Sequence, residues 1–328
     1  MTMEISVIIL NWNGFKRTCR CLDSLREATD PACAEIIVVD NGSTDGSGEM
    51  LREHYPGVRH LANKENLGFS AGVNVGLRDA FHRGCQMFLL LNSDMIVERR
   101  FLDPARAILN ANQTIGIVTG KILQLLPAGI IWHAGGHVNK FKVAGIPRGY
   151  LERDVGQYDN DCDTEWASGA MCLVARRAVE RAGFLPEEYF FGQEEWDYST
   201  NVIRNGFRIR YCPDFVGVHE QGSSHKDGHP ILSVYSGVRN RFIYAQRNLP
   251  SWHVALLRIY YCLYLVSFWP LRAKYGCRTP KDFWARYRAA WLGYIDQFTS
   301  HRVDLETLRT AQEKIGISDS WGTSWMGD

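Results

Sequence analysis

The sequence shows no excess of either charge. Lys and Arg number 37 against 36 Asp and Glu, a net of +1 over 328 residues. That balance gives no support for nucleic acid as a ligand, because proteins that bind it carry a basic excess. The nine cysteines are an odd count without Cys-x-x-Cys pairs, and Cys19 and Cys21 lie too close together for a zinc pair of the usual kind. Free thiols in a reducing compartment follow from this. No long apolar run opens the chain. Ile5 to Leu10 is too short for a signal peptide and follows Glu4 rather than a basic leader, so a cytoplasmic location is expected. Low-complexity segments and internal repeats are missing. A dinucleotide-dependent enzyme or methyltransferase would carry a glycine-rich turn after its first strand, where this chain has Asn11–Trp12–Asn13–Gly14–Phe15. The glycine- and basic-rich opening loop of a nucleotidyltransferase is absent too.

With 45% hydrophobic and 22% charged residues, the chain can bury one large core or two smaller ones. Ile5–Ser6–Val7–Ile8–Ile9–Leu10 is nearly continuous and β-branched, the mark of a strand covered on both faces. Phe15 to Ala28 then carries helical spacing through Cys19, Leu22 and Leu25. A second buried strand, Glu35 to Val39, runs into Asp40–Asn41–Gly42–Ser43–Thr44–Asp45–Gly46, from which a Ser, Thr or Asp is expected to cap the next helix. Val58 to Leu61 reads as a short strand, and Asn66–Leu67–Gly68–Phe69 as a turn into a helix reaching His82. Gln86 to Leu91 is another buried strand, followed by a helix from Phe101 and a strand over Ile115 to Thr119. Such alternation implies an α/β fold with a doubly wound, mainly parallel sheet.

Three of these strands end in polar clusters: Asn11 with Asn13, Asp40 with Asn41, and Asn92–Ser93–Asp94. Asn, Asp and Gly terminate strands simply because they make turns. Right-handed crossovers, however, would set all three clusters on one edge of one sheet, where ligands of open α/β sheets bind. A carboxylate at that edge can hold a divalent cation, and the cation a diphosphate.

Together the residues resemble glycosyltransferase family 2, the inverting GT-A enzymes, and its bacterial rhamnosyltransferase-like branch in particular. The resemblance is carried by Val7 to Asn13, Val38 to Gly46, Asn66–Leu67–Gly68–Phe69 with Gly72 and Asn74, and Leu91 to Asp94. It continues through Ser168–Gly169–Ala170, Glu194–Glu195–Trp196–Asp197 with Arg204 and Gly206, and His219, in this order over about 215 residues. It implies that Asp40 accepts the ring N–H of uracil or thymine, and that Asn11, Asn13, Asn66, Gly68 and Asn74 flank the nucleotide. Asn92–Ser93–Asp94 stands at the family's DxD-type motif, with Asp94 binding Mn²⁺ or Mg²⁺ and Asn92 adding no charge. His219 matches a further metal ligand, though a hydrogen-bonded histidine at a strand end would look the same. Ser168 and Gly169 lie where the family approaches donor sugar and acceptor; alone they read as a tight strand entry. The implied partners are a dTDP- or UDP-sugar donor and a saccharide or lipid-linked saccharide acceptor.

Three acids, Glu194, Glu195 and Asp197, open a helix that runs to Asn205 with Gly206 at C′. The helix dipole alone would favour them. An inverting transfer also needs a carboxylate base, and the family's Asp is here Glu195, longer by one methylene. Glu194 and Asp197 share a face and would orient acceptor or backbone groups. That Asp-to-Glu change is the sole support for the rival reading, a catalytically silent nucleotide-sugar-binding or scaffold protein.

The composition shifts after Gln221–Gly222–Ser223–Ser224–His225–Lys226, a loop able to close over diphosphate. We therefore divide the chain into a nucleotide-sugar-binding and catalytic domain, 1–225, and a mostly helical extension, 226–328. Arg239–Asn240–Arg241 offers charge to phosphates or forms a solvated helix face. Trp252 to Trp269 is dense in apolar and aromatic residues, interrupted by Arg258, stopped by Pro270 and followed by Arg272, Lys274 and Arg278. Residues 252–275 suit either a helix lying on the inner face of the cell membrane or a core or homo-oligomer contact. The tail beyond Ile317, with Trp321 and Trp325, reads as irregular.

Overall fold

A computed structural model describes residues 4–28, 34–220, 230–270, 279–299 and 301–317. The loop at 221–226, the 225/226 boundary, Arg272, Lys274, Arg278 and the tail with Trp321 and Trp325 lie outside the described residues.

The apolar runs become the strands of one large sheet. β1 (Ile5–Asn11), β2 (Ala34–Asp40), β3 (Arg59–Ala62) and β4 (Met87–Asn92) lie parallel in the order β4-β1-β2-β3. β11 (Met171–Ala175) runs antiparallel between β4 and β6 (Ile115–Gln124), and β12 (Arg208–His219) pairs parallel with β6. Short strands complete the sheet: β5 (Met95–Val97) and β10 (Cys162–Thr164) on β12, and β7 (Ile131–His133) on β6. β8 (Gly136–Asn139) and β9 (Ala144–Pro147) form a separate pair.

Helices cover both faces, as the two-faced burial of the strands requires. Val7, Ile9, Leu89 and Leu91 pack with α1 (Phe15–Ala28), α2 (Ser47–His54) and α4 (Asp103–Ala111). Ile8, Val39, Phe88 and Leu90 pack with α3 (Phe69–His82), α5 (Arg176–Ala182) and α6 (Glu194–Arg204). Helix ends follow local chemistry. Gly206, at φ +85°, closes α6 with Gly206 N–H on Ile203 O (3.0 Å) and Phe207 N–H on Val202 O (3.3 Å), a Schellman pair. The cap expected for α2 is displaced by one residue: Gly46 holds the N-cap position at φ +80°, and Asp45 Oδ1 accepts Ser47 N–H at 2.9 Å.

The chain divides into two compact units: Met1–Val138, Gly145–Pro186 and Glu195–Gln221, and Asn139–Ala144, Glu187–Glu194 and Gly222–Asp328. The second unit thus takes two short segments that the sequence reading assigned to the first domain. Its core is Tyr189, Phe190, Leu232, Tyr235, Ile243, Ala289 and Leu308, from α7 (Pro230–Asn248), α9 (Pro280–Ile295), α10 (Leu305–Ile315) and the 187–194 segment. Arg239 and Asn240 of α7 are buried, not solvated; Asn240 donates to Phe191 O and Gly192 O at 2.9 and 2.7 Å. Arg241 is spent on Val143 O and Gly237 O, at 3.0 and 2.9 Å.

Candidate active site

Strand register sets the polar clusters on one edge. Asn11 pairs with Asp40, Leu10 with Asn92, and Asn92 N–H donates to Ala170 O at 2.9 Å. The ends of β1, β2 and β4 and the start of β11 therefore share one level, beside the reversal of strand order that hosts ligands in such sheets.

Asn11 is fully buried and organises the first cluster. Its amide donates to Asp40 Oδ1 (2.9 Å), Ser43 Oγ (3.2 Å) and Ser47 Oγ (3.0 Å), and its carbonyl accepts Thr18 Oγ–H (2.8 Å). Asn13, at φ +47°, accepts Thr44 N–H at 2.8 Å. Asp40 is thus clamped through Oδ1, while Oδ2 lies over the Cα of Gly48, where an added Cβ would meet it at 2.5 Å. Asn41, which the sequence reading named but gave no role, is the second hub. It donates to Asn66 Oδ1 (2.9 Å) and Gly68 O (3.1 Å), and accepts from Asn63 Nδ2 (3.0 Å) and Leu67 N (3.2 Å). Gly42 permits this closure: it sits at φ +71°, and any Cβ there would strike Glu65 backbone at 2.5 Å.

Asp94 and His219 meet. β5 pairs with the end of β12, His219 opposite Met95, and His219 Nε2 lies 3.0 Å from Asp94 Oδ1. His219 is 3% exposed, its Nδ1 has no hydrogen-bond partner among the described residues, and the ring stands edge-on to Trp132 at 4.7 Å. The pair fits a divalent ion. Metal–oxygen distances of about 2.0–2.1 Å at right angles put two ligand atoms about 3 Å apart. Among the described residues no third His, Cys, Asp or Glu completes a metal-binding group, so phosphate oxygens and water would fill the rest. The Cys21 thiol beneath is pushed up, first by burial and then by the charge of Asp94.

Of the three acids opening α6, Glu194 and Asp197 are buried, and Glu195 alone keeps partial exposure. A Cβ built on Gly169 would come within 3.3 Å of the Phe69 ring and 4.0 Å of Glu195 Cβ, so Gly169 marks a close seam beside that carboxylate. Burial, then the charge of Glu195, pushes the Cys172 thiol up to about 12. Two further residues named for the donor site are buried. Asn74 is fully buried, its amide donating to Leu185 O at 2.9 Å and accepting Leu185 N–H at 3.1 Å. Ser168 is 1% exposed; its Oγ accepts Ala170 N–H at 3.1 Å, the tight strand entry that was its simpler reading. Trp132 and the buried His133–Trp166 pair, at 4.9 Å, were not anticipated.

Residues 6–181 match Glycosyl transferase family 2. The chain belongs to that family. N-acetylglucosaminyl-diphospho-decaprenol L-rhamnosyltransferase of Mycobacterium tuberculosis is 22% identical over 309 residues, 85% of this chain and 92% of the relative. Among solved structures, GalNAc-T7 with UDP, GalNAc and Mn²⁺ aligns with 98% of this chain and 56% of its own, at TM-score 0.59 and 15% identity. The mannosyltransferase PcManGT of Pyrobaculum calidifontis, with GDP-Man and Mn²⁺, aligns over 98% and 88%, at TM-score 0.53 and 18% identity. The family 2 chain is accordingly a glycosyltransferase of GT-A fold, similar to the rhamnosyltransferase branch.

Proposed function

We propose that this enzyme is an inverting glycosyltransferase using a pyrimidine nucleoside diphosphate sugar, dTDP-rhamnose first and a UDP-hexose second. The acceptor is a hydroxyl of a saccharide or lipid-linked saccharide, reached in the cytoplasm at the inner face of the cell membrane. The reading rests above all on the Asp94–His219 pair, 3.0 Å apart at the edge where the Asp40 network also ends. The mycobacterial relative, by its name, moves L-rhamnose to a diphospho-decaprenol-linked sugar and supports the choice of sugar and of acceptor class. PcManGT holds GDP-Man, so the fold alone does not select a pyrimidine; Asp40 is our basis for that choice.

Asp94 and His219 would hold Mn²⁺ or Mg²⁺, which when bound neutralises charge on the departing diphosphate. The imidazole favours Mn²⁺ somewhat. Glu195 takes the acceptor O–H proton as the acceptor oxygen bonds the anomeric carbon and the diphosphate leaves with its electron pair. Asp40, held through Oδ1 by the Asn11 amide at 2.9 Å, is the group that meets the base N–H in this reading. Glu195→Gln should keep donor affinity and lower kcat at least about a hundredfold. Near-native turnover would remove Glu195 from the reaction.

A further inference from the structure

Outside the candidate active site, the most conspicuous unexplained surface belongs to the second unit. Helix α8 (Ser251–Leu263) and the π-turn that extends it, Tyr264–Phe268, present Trp252, Leu256, Ile259, Leu263, Val266 and Phe268 to solvent, each at least 50% exposed. The first five are spaced four, three, four and three residues apart, so they form one stripe along the helix. It spans about 21 Å at 1.5 Å per residue. The other exposed positions between 251 and 268 are Ser251, Ala255 and Ser267, so the exposed face carries no charge. Arg258, which breaks the apolar run in sequence, does not break the stripe. It turns to the inner side, where Nε donates to Gln297 Oε1 at 2.9 Å and the guanidinium lies 4.8 Å from the Phe298 ring centroid.

The sequence that carries and follows the stripe is basic. Between Ser251 and Thr299 stand seven Lys and Arg (258, 272, 274, 278, 281, 286, 288) and two acids, Asp282 and Asp296, a local +5 against +1 for the whole chain. Both acids are engaged, Asp282 with Arg286 at 2.8 Å and Asp296 with Tyr235 O–H at 2.8 Å. On α9, Trp284 is 55% exposed between exposed Lys281 and Arg288.

We propose that this face seats the enzyme on an anionic lipid bilayer, with α8 lying in the interface plane. Apolar side chains without charge, aromatic residues at both ends and a basic excess in the neighbouring sequence are what such a surface takes up. Among the described residues no helix is long and apolar enough to cross a membrane, so the contact is superficial. A second copy of the chain fits less well. Two copies would bring like charge together, the stripe is shorter than three heptads, and no acid–base pairs flank it to set a register. The inference deepens the placement at the membrane proposed above, and its test is separable from that of the reaction.

The full chain is sedimented with vesicles of phosphatidylcholine mixed with phosphatidylglycerol, and with phosphatidylcholine alone. Binding should favour the anionic vesicles and weaken with salt. The triple variant Leu256→Gln, Ile259→Gln, Leu263→Gln should lower partitioning at least about tenfold, because each change removes buried methylenes. Its thermal unfolding and its turnover of a water-soluble acceptor without vesicles should stay as in the parent. Absence of the parent chain from the anionic vesicle pellet would overturn the proposal. So would a dimer that the triple variant splits while vesicle binding persists, which would assign the stripe to a second copy. Turnover measured without lipid reports separately on the glycosyl-transfer reading.

Discussion

Two asparagines within reach of the same motif do opposite jobs. Asn41 and Asn74 are both buried, yet Asn41 ties together the turns beside the end of β2, whereas Asn74 bonds the backbone of Leu185. Asn74→Ala should leave Leu185 N–H and C=O without these partners, cost about 2 kcal/mol or more in stability, and leave donor KM unchanged. Denaturant unfolding beside donor titration separates the two effects. Sequence spacing could not tell the roles apart, because it reports which residues recur near a turn but not which way a buried amide faces. His133 was silent in the sequence for a similar reason. Burial, then the Arg148 charge, lowers its pKa from 6.5 to about 3. Protonation therefore favours the unfolded chain: stability is fully kept above pH 6.5 and lost as pH falls toward about 3. The slope contributed is about 1.4 kcal/mol per pH unit, and His133→Gln should flatten it in urea titrations across that window.

At the scale of elements, the regular strands and helices were legible and the overlong ones were not. α1 matches its sequence boundaries, Phe15 to Ala28, because periodicity and breakers agree there. β6 was read only to Thr119, since Lys121 and Gln124 look wrong for a covered strand; Lys121 is in fact buried, paired with Asp154 at 3.1 Å and with Asp159. Pro213, which cannot donate to a ladder, falls within β12. It occurs within a bulge, where the register against β6 shifts between Cys212 and Val216. That bulge re-aims the strand so that His219 arrives beside Asp94. Gly120 makes it possible: a Cβ there would lie 1.9 Å from Phe215 O. Gly120→Ala should cost about 3 kcal/mol in urea unfolding and weaken Mn²⁺-dependent turnover. Unchanged stability would mean the bulge does not need that close approach.

At the scale of the molecule, the α/β class, the mainly parallel sheet and the shared level of the Asn11, Asp40 and Asn92 strand ends follow from alternation and crossovers. The division into units did not, since 139–144 and 187–194 join the second unit through tertiary packing that no composition shift announces. The departures lie where buried polar groups find partners distant in sequence. The central claim, a pyrimidine diphosphate sugar bound with a divalent ion at the Asp94–His219 edge, is tested most directly by thermal unfolding with UDP-, dTDP- and GDP-sugars, each with Mn²⁺ or chelator. A ligand that binds the folded state raises its stability. The account predicts a rise with a dTDP- or UDP-sugar and Mn²⁺, lost in chelator and in Asp94→Asn; stabilisation by a GDP-sugar alone would contradict it.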